Sequence, residues 1–388
     1  MKKQLVSILS DLIALPSPYP PGTSVEICAY AARRLKKAGY KVEIATKKKG
    51  VDNVVARMKG KAPGKAGRGP VIAFNAHVDT VGVGERANWK SDPYKALVKG
   101  GLVHGLGAGN CKGSMAVQLW LAEEIARRGG PARGELIFTF VADEENLGPD
   151  GMEYLRKSGK VRPDALILGA QTENNLIVAE RGVMWAKITT KGKAAHAGNP
   201  GAGDNAILRM MRLVGALTSY YDKALARRRS GAMQSTINVG MFHGGHNTNV
   251  VPSACTVEID RRLLPDEKVK DAFAELEKIV DGAGEPKGLY TVEFLTGTNG
   301  FFAPEDGQAV AAFEKAVKSK TGRTVKFLNA TGVSDGRYYA DDGIEIINFG
   351  PGSGVQGHAA NESVPIAEMV EAAHIQLEVV ERLTGIVR

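Results

Sequence analysis

Apolar residues at Leu5, Ile8, Leu9, Leu12 and Ile13 recur at helical spacing and predict an amphipathic helix over residues 4–14. A second helix is predicted over 24–38, then a strand near 40–45, then a Gly/Lys/Pro-rich loop from Gly60 to Gly69. The runs Val71-Ile72-Ala73-Phe74 and Leu136-Ile137-Phe138-Thr139-Phe140-Val141 are short, apolar and bounded by Gly or Pro, and a predicted helix near 114–128 separates them. This alternation predicts an α/β sheet, and in open α/β sheets ligands gather at the carboxyl ends of strands.

The pattern changes near 183. Strand 183–191, helix 204–221, strands 235–242 and 254–262, helix 266–282 and strand 290–296 follow the β-α-β-β-α-β order of a ferredoxin-like unit. Alternation resumes with helix 307–320, strands near 325–329 and 344–348, and a last helix after Pro365 carrying Met369, Val370, Ala373, Leu377 and Val380. The expected architecture is a discontinuous α/β domain with a mixed sheet (1–180 and 297–388) and an inserted α+β lid (181–296), with a ligand cleft between them.

Composition narrows the class. At 388 residues, 43% hydrophobic and 24% charged, the chain has room for two globular domains. No stretch has the length of a membrane span, and Met1-Lys2-Lys3 leads into an amphipathic helix rather than a signal-peptide core, so no membrane association and a cytoplasmic location are expected. Three widely spaced cysteines, Cys28, Cys111 and Cys255, fit a reducing compartment. The net charge of +9 comes from short basic runs without interleaved aromatics, which argues for a surface tolerant of acidic small molecules and against nucleic acid.

Candidate chemistry lies where the two strands stop. His77 and Asp79 flank Val78, so on an extended segment both face one side, and the Asp79 carboxylate is placed to accept from the second ring nitrogen of His77. Asp143-Glu144-Glu145 puts adjacent carboxylates at a sheet edge, where a cation would relieve their repulsion. One can then be a ligand and its neighbour a general base. His358 sits in a Gly-rich loop, Gly350 to His358. Taken singly, these motifs equally describe a satisfied histidine, a solvated acidic turn and a polar loop. His104 is read as a turn residue that lines a cleft, His374 as packing within the last helix, and the His243/His246 loop as polar.

Together the pieces resemble one family. Asn75-Ala-His77-Val-Asp79-Thr-Val81, Trp89 to Pro93, Gly105-Leu-Gly-Ala-Gly-Asn110-Cys-Lys-Gly113, Ala142-Asp-Glu144-Glu145, Gly192 to His196, Asn249 to Pro252, Asp260-Arg-Arg262-Leu-Leu-Pro265, Ser334-Asp335 and His358 to Glu362 occur in the order found in the co-catalytic metallopeptidases. That family includes glutamate carboxypeptidase, acetylornithine deacetylase, succinyl-diaminopimelate desuccinylase and aminoacylase. The resemblance spans nearly the whole chain. It implies metal ligation by His77, Glu145 and His358, orientation of His77 by Asp79, and a general base at Glu144. It also implies lid residues His196 and Asn249 that hold the substrate or reacting carbonyl, a carboxylate-binding Arg262, and a homodimer formed through the lid.

The pattern breaks where it carries charge. The family's bridging aspartate falls at Asn110, and a further carboxylate ligand falls at Ala170; the arginine of its Gly-Arg-Gly falls at Leu106. Two close divalent ions need anionic ligands to offset their repulsion. One divalent ion is therefore expected, zinc or manganese with cobalt as a third candidate, on His77, Asn110, Glu145 and His358. Glu173 is a candidate substitute ligand. The expected activity is hydrolysis of a carbon–nitrogen bond in a small carboxylate-bearing substrate, with His104, Arg262 and Asn249 contacting it. Two alternatives stand beside it: an aminohydrolase acting on a non-peptide acid, and a non-catalytic small-molecule binder.

Overall fold

The computed structural model describes residues 1–62, 68–304, 306–330 and 332–387, so part of the Gly60–Gly69 loop lies outside the described residues. The chain divides into two compact units: Met1–Val178 with Ala303–Leu328 and Ser334–Arg388, and Ala179–Phe302 with Asn329–Val333.

The first unit is built on a mixed sheet. Its strands run in the order Lys41–Lys48, Val51–Lys59, Glu135–Val141, Val71–His77, Ala165–Leu168, Glu345–Asn348 and Leu176–Glu180. The four from Glu135–Val141 to Glu345–Asn348 are mutually parallel, and the outer ones are antiparallel. Parallel strands covered on both faces read as continuous apolar runs, and Glu135–Val141 and Val71–His77 are buried along nearly their whole length. Phe74 and Phe138 stack across the sheet with ring centroids 5.1 Å apart. Helices Lys2–Ile13, Val25–Lys37, Lys112–Arg127, Gln308–Thr321 and Ile366–Thr384 complete this core. The strand Val51–Lys59 was not expected, because Asp52, Asn53, Arg57 and Lys59 interrupt its apolar run. The structure buries Asn53 by pairing its amide with the Ala45 and Asp150 carbonyls. His374 also departs from expectation: it is exposed, one position off the apolar stripe of its helix.

The second unit is a four-stranded antiparallel sheet in the order Thr236–Gly244, Ala254–Leu263, Gly182–Lys191 and Tyr290–Thr298, the ferredoxin-like arrangement. Burial alternates along its two central strands, as a half-buried sheet requires. Helices Ala206–Lys223 and Val269–Asp281 supply Met210, Leu213 and Leu276 to a core with Met184, Ile188, Val257 and Ile259. Asn205 caps the first helix by accepting from the Ile207 and Leu208 amides. Among the described residues, no helix is long and apolar enough to cross a membrane.

Candidate metal centre

Four loops that leave the carboxyl ends of the parallel strands carry the chemistry: one after His77, one after Val141, one after Leu168 and one after Asn348. The second begins with Asp143 at φ 68°, and its carboxylate accepts from the Asp150 amide at 3.1 Å, closing the turn. A side chain at Gly148 would collide with that carboxylate. Asp143 is thereby spent on the turn, and Glu144 and Glu145 are turned toward His77. Among the described residues, the ligand atoms of His77, Glu144 and Glu145 lie within 4.8 Å of one another.

His77 is buried, and its Nδ1 lies 2.9 Å from the Asp79 main-chain oxygen. This corrects the expected orientation by a carboxylate. The nearer Asp79 carboxylate oxygen is 3.5 Å away, and the other accepts from the Glu145 amide at 3.1 Å. The carboxylate therefore ties the two ligand loops together, while the carbonyl sets the ring. The other ring nitrogen, Nε2, is 3.1 Å from Asn110 Oδ1 and 3.9 Å from Glu144. Asn110 Nδ2 donates to Glu145 at 2.7 Å and lies 3.2 Å from His358 Nε2, which is itself 2.9 Å from Glu145. His358 reaches in from a residue at φ 64°, a backbone state uncommon outside glycine. The Glu362 carboxylate fixes the Asn110 loop by accepting from the Gly107, Gly109 and Asn110 amides.

Electrostatics match this crowding. Burial pushes the Glu144 carboxyl up to about 8 against the opposing pull of His77 and Arg337. Burial pushes His77 down, yet the charges of Glu144 and Asp79 outweigh it and hold the imidazole well above its ordinary range. The hydrogen bond to Glu145 raises His358. Carboxylates and imidazoles crowded this closely hold protons that a bound cation would displace.

A model described as "Peptidase family M28" matches residues 53–172, and one described as "Peptidase dimerisation domain" matches 178–287. Succinyl-diaminopimelate desuccinylase from Polynucleobacter necessarius is 28% identical over 365 residues, covering 91% of this chain and 92% of that one. A tripeptidase from Staphylococcus aureus superposes with a TM-score of 0.80 at 22% identity, with 99% of each chain covered. A dinuclear metal-binding peptidase from Bacillus subtilis superposes at 0.73 with 17% identity, covering 98% of this chain and 97% of its own. Along nearly its whole length the chain is similar to the metallopeptidases that include the desuccinylases. It is a metal-dependent hydrolase of carbon–nitrogen bonds, with the family's catalytic and dimerisation domains.

Asn110 and Ala170 are neutral at the two positions where the resemblance led to an expectation of carboxylates, and Glu173, the candidate substitute ligand, is an exposed turn residue at φ 52°. Leu106 is buried in the core. Cys111 is buried, with its thiol donating to the Gly169 carbonyl at 3.3 Å, so it is packed away from solvent. His104 is not a turn residue as expected. It ends the strand Leu102–His104, where it pairs with Ser363 and Leu97. Arg262, Asn249 and His196 belong to the second unit. There Arg262 Nε donates to Asp260 at 2.8 Å, and the other oxygen of that carboxylate accepts from Trp185. His196 Nδ1 accepts from the Gly198 amide at 3.0 Å, and the isolated bridge to Val250 sets its loop beside Asn249. His243, expected in a loop, lies within the strand Thr236–Gly244 opposite Thr256.

Sequence reasoning missed Arg337. Its side chain is 1% exposed, and Nη1 lies 3.6 Å from Glu144. The signal was available two residues beyond Ser334-Asp335, but an arginine in a polar stretch reads as surface.

Proposed function

We propose that the protein is a single-ion hydrolase cleaving an amide-type carbon–nitrogen bond in a small carboxylate-bearing substrate, with Glu144 as general base. The observation carrying this is the convergence of Glu145, His358 and Asn110 on one side of His77 with Glu144 beside them. A carboxylate, two imidazoles and an amide suit zinc, manganese or cobalt. Glu145 and His358 fit as they stand. Asn110 presents its NH2 group to them and its oxygen to His77; with the amide reversed, its oxygen would face Glu145 and His358 but its NH2 would occupy His77 Nε2, so His77 and Asn110 are alternative third ligands. The ion, when bound, supplies Lewis-acid polarisation.

Glu144 takes the proton of the attacking water and returns it to the departing nitrogen, a transfer its raised affinity for protons suits near neutral pH. Asp79 keeps the Glu145 loop in register with His77 through the Glu145 amide. In this reading His196 and Asn249 meet the reacting carbonyl and Arg262 the substrate carboxylate, with His104 a lesser contact. The fork of an arginine suits a carboxylate. The three cysteines, each buried and unpaired, accord with a cytoplasmic enzyme. The chain also pairs with a second copy: the edge strand and the helix packed on it expose Met241, Phe242, Leu208 and Met211, and a solution mass of twice 41.2 kDa is the expected light-scattering result. A mass of one chain at micromolar concentration would count against pairing.

Elemental analysis after loading, paired with hydrolysis assays on N-succinyl amino acids and short peptides, tests the catalytic reading. About one equivalent of metal with turnover is expected, and no retained ion under any loading condition would sink it. A second reading, a non-catalytic binder, draws on one observation. The Asn110 amide already accepts from His77 and donates to Glu145, which in turn accepts from His358, an arrangement that needs no cation.

A further inference from the structure

Arg337 lies in a short 3-10 turn, Asp335–Tyr339, of the first unit. Its guanidinium is buried, yet Nε and Nη1 have no hydrogen-bond partner among the described residues. Buried arginines kept for stability are normally satisfied. The nearest carboxylate is Glu144, 3.6 Å from Nη1; Asp335 is farther, at 3.9 Å from Nη2, and already accepts from Asn75 Nδ2 at 3.1 Å. A plain structural pairing with Asp335 thus leaves the guanidinium unexplained.

Its tether is specific. The guanidinium lies over the Tyr338 ring, 4.4 Å from the centroid, and Nη2 donates to the Tyr338 hydroxyl at 3.0 Å. That hydroxyl donates to the Gly148 carbonyl at 2.8 Å. Gly148 lies in the turn that carries Glu144 and Glu145. One hydrogen-bonded path therefore fixes the cation to the loop whose carboxylate it faces. Glu144 in turn stands between two nitrogens, Arg337 Nη1 at 3.6 Å and His77 Nε2 at 3.9 Å, and neither is close enough to hydrogen-bond. Its position is set by charge from both sides, which leaves its oxygens available to a proton.

We propose that Arg337 is a positioning residue that holds Glu144 in place for proton transfer, an inference that rests on Glu144 being the base. The test is a pair of crystal structures, metal-loaded wild type and Arg337→Met, with kinetics of both. In Arg337→Met the Glu144 carboxylate is expected to move by about 1 Å or more relative to His77 and Glu145. Its kcat is expected to fall roughly 100-fold, as misplacement on that scale does, with KM unchanged and partial rescue by guanidinium ion. Arg337→Lys keeps the charge without the fork and should fall between. Tyr338→Phe cuts the tether and should shift Glu144 in the same direction by less, and it serves if Arg337→Met does not fold. An unmoved carboxylate in the variant overturns the proposal, as does a rise in KM at constant kcat, which would make Arg337 a substrate contact. Should the wild type hydrolyse nothing, the catalytic reading fails, while the two structures still decide whether Arg337 places Glu144.

Discussion

Glu144→Gln lowers kcat by roughly 1,000-fold or more while the metal content stays at the wild-type level; general base catalysis is typically worth 10²–10⁴. The amide keeps the shape of the carboxylate but cannot take a proton from water. Its oxygen and nitrogen still fit between His77 and Arg337, which lie 3.9 and 3.6 Å from the carboxylate, so the loop should hold its form. Initial rates and elemental analysis on the same preparation separate the outcomes. Turnover within about tenfold of wild type would remove Glu144 from the chemistry. Loss of turnover together with loss of metal would make it a ligand, which its place beside His77 and Glu145 also permits.

The second large effect is on stoichiometry. Asn110→Asp combined with Ala170→Asp should raise bound metal from about one to about two equivalents per chain, read by titration calorimetry and elemental analysis. Two dications about 4 Å apart repel by roughly 15 kcal/mol at an effective dielectric of about 20, four times the unit-charge value. The two substitutions return the anionic ligands that offset this. Asn110→Asp alone removes the NH2 that donates to Glu145 at 2.7 Å and sets a like charge there, so the variant protein should be less stable after chelation and regain stability on adding metal. Two tightly held ions in the unaltered protein would show that the charge argument from Asn110 and Ala170 is wrong. An unchanged stoichiometry in the double variant would show that something other than charge excludes the second ion.

Both experiments probe a site whose parts were legible to different degrees. His77, Glu144, Glu145 and His358 stand beside Gly, Asp or apolar strand ends, and those local patterns are written in consecutive residues. The mixed sheet and the inserted ferredoxin-like unit were legible for the same reason: period-two and period-3.6 patterns are local properties. Strand Val51–Lys59 was not, because its polar residues find partners only once the neighbouring strands and the Asp150 turn are in place.

The sequence by itself determined the fold, the resemblance to the metallopeptidases and the neutral side chains at Asn110 and Ala170. Only the tertiary structure decided that the Asp79 carbonyl sets His77 while its carboxylate binds the next loop, that Asp143 is consumed in its own turn, and that Arg337 faces Glu144. The physical reason is range. Strand, helix and motif depend on near neighbours, whereas a buried guanidinium and a carboxylate 193 positions earlier meet only when distant loops share the ends of parallel strands.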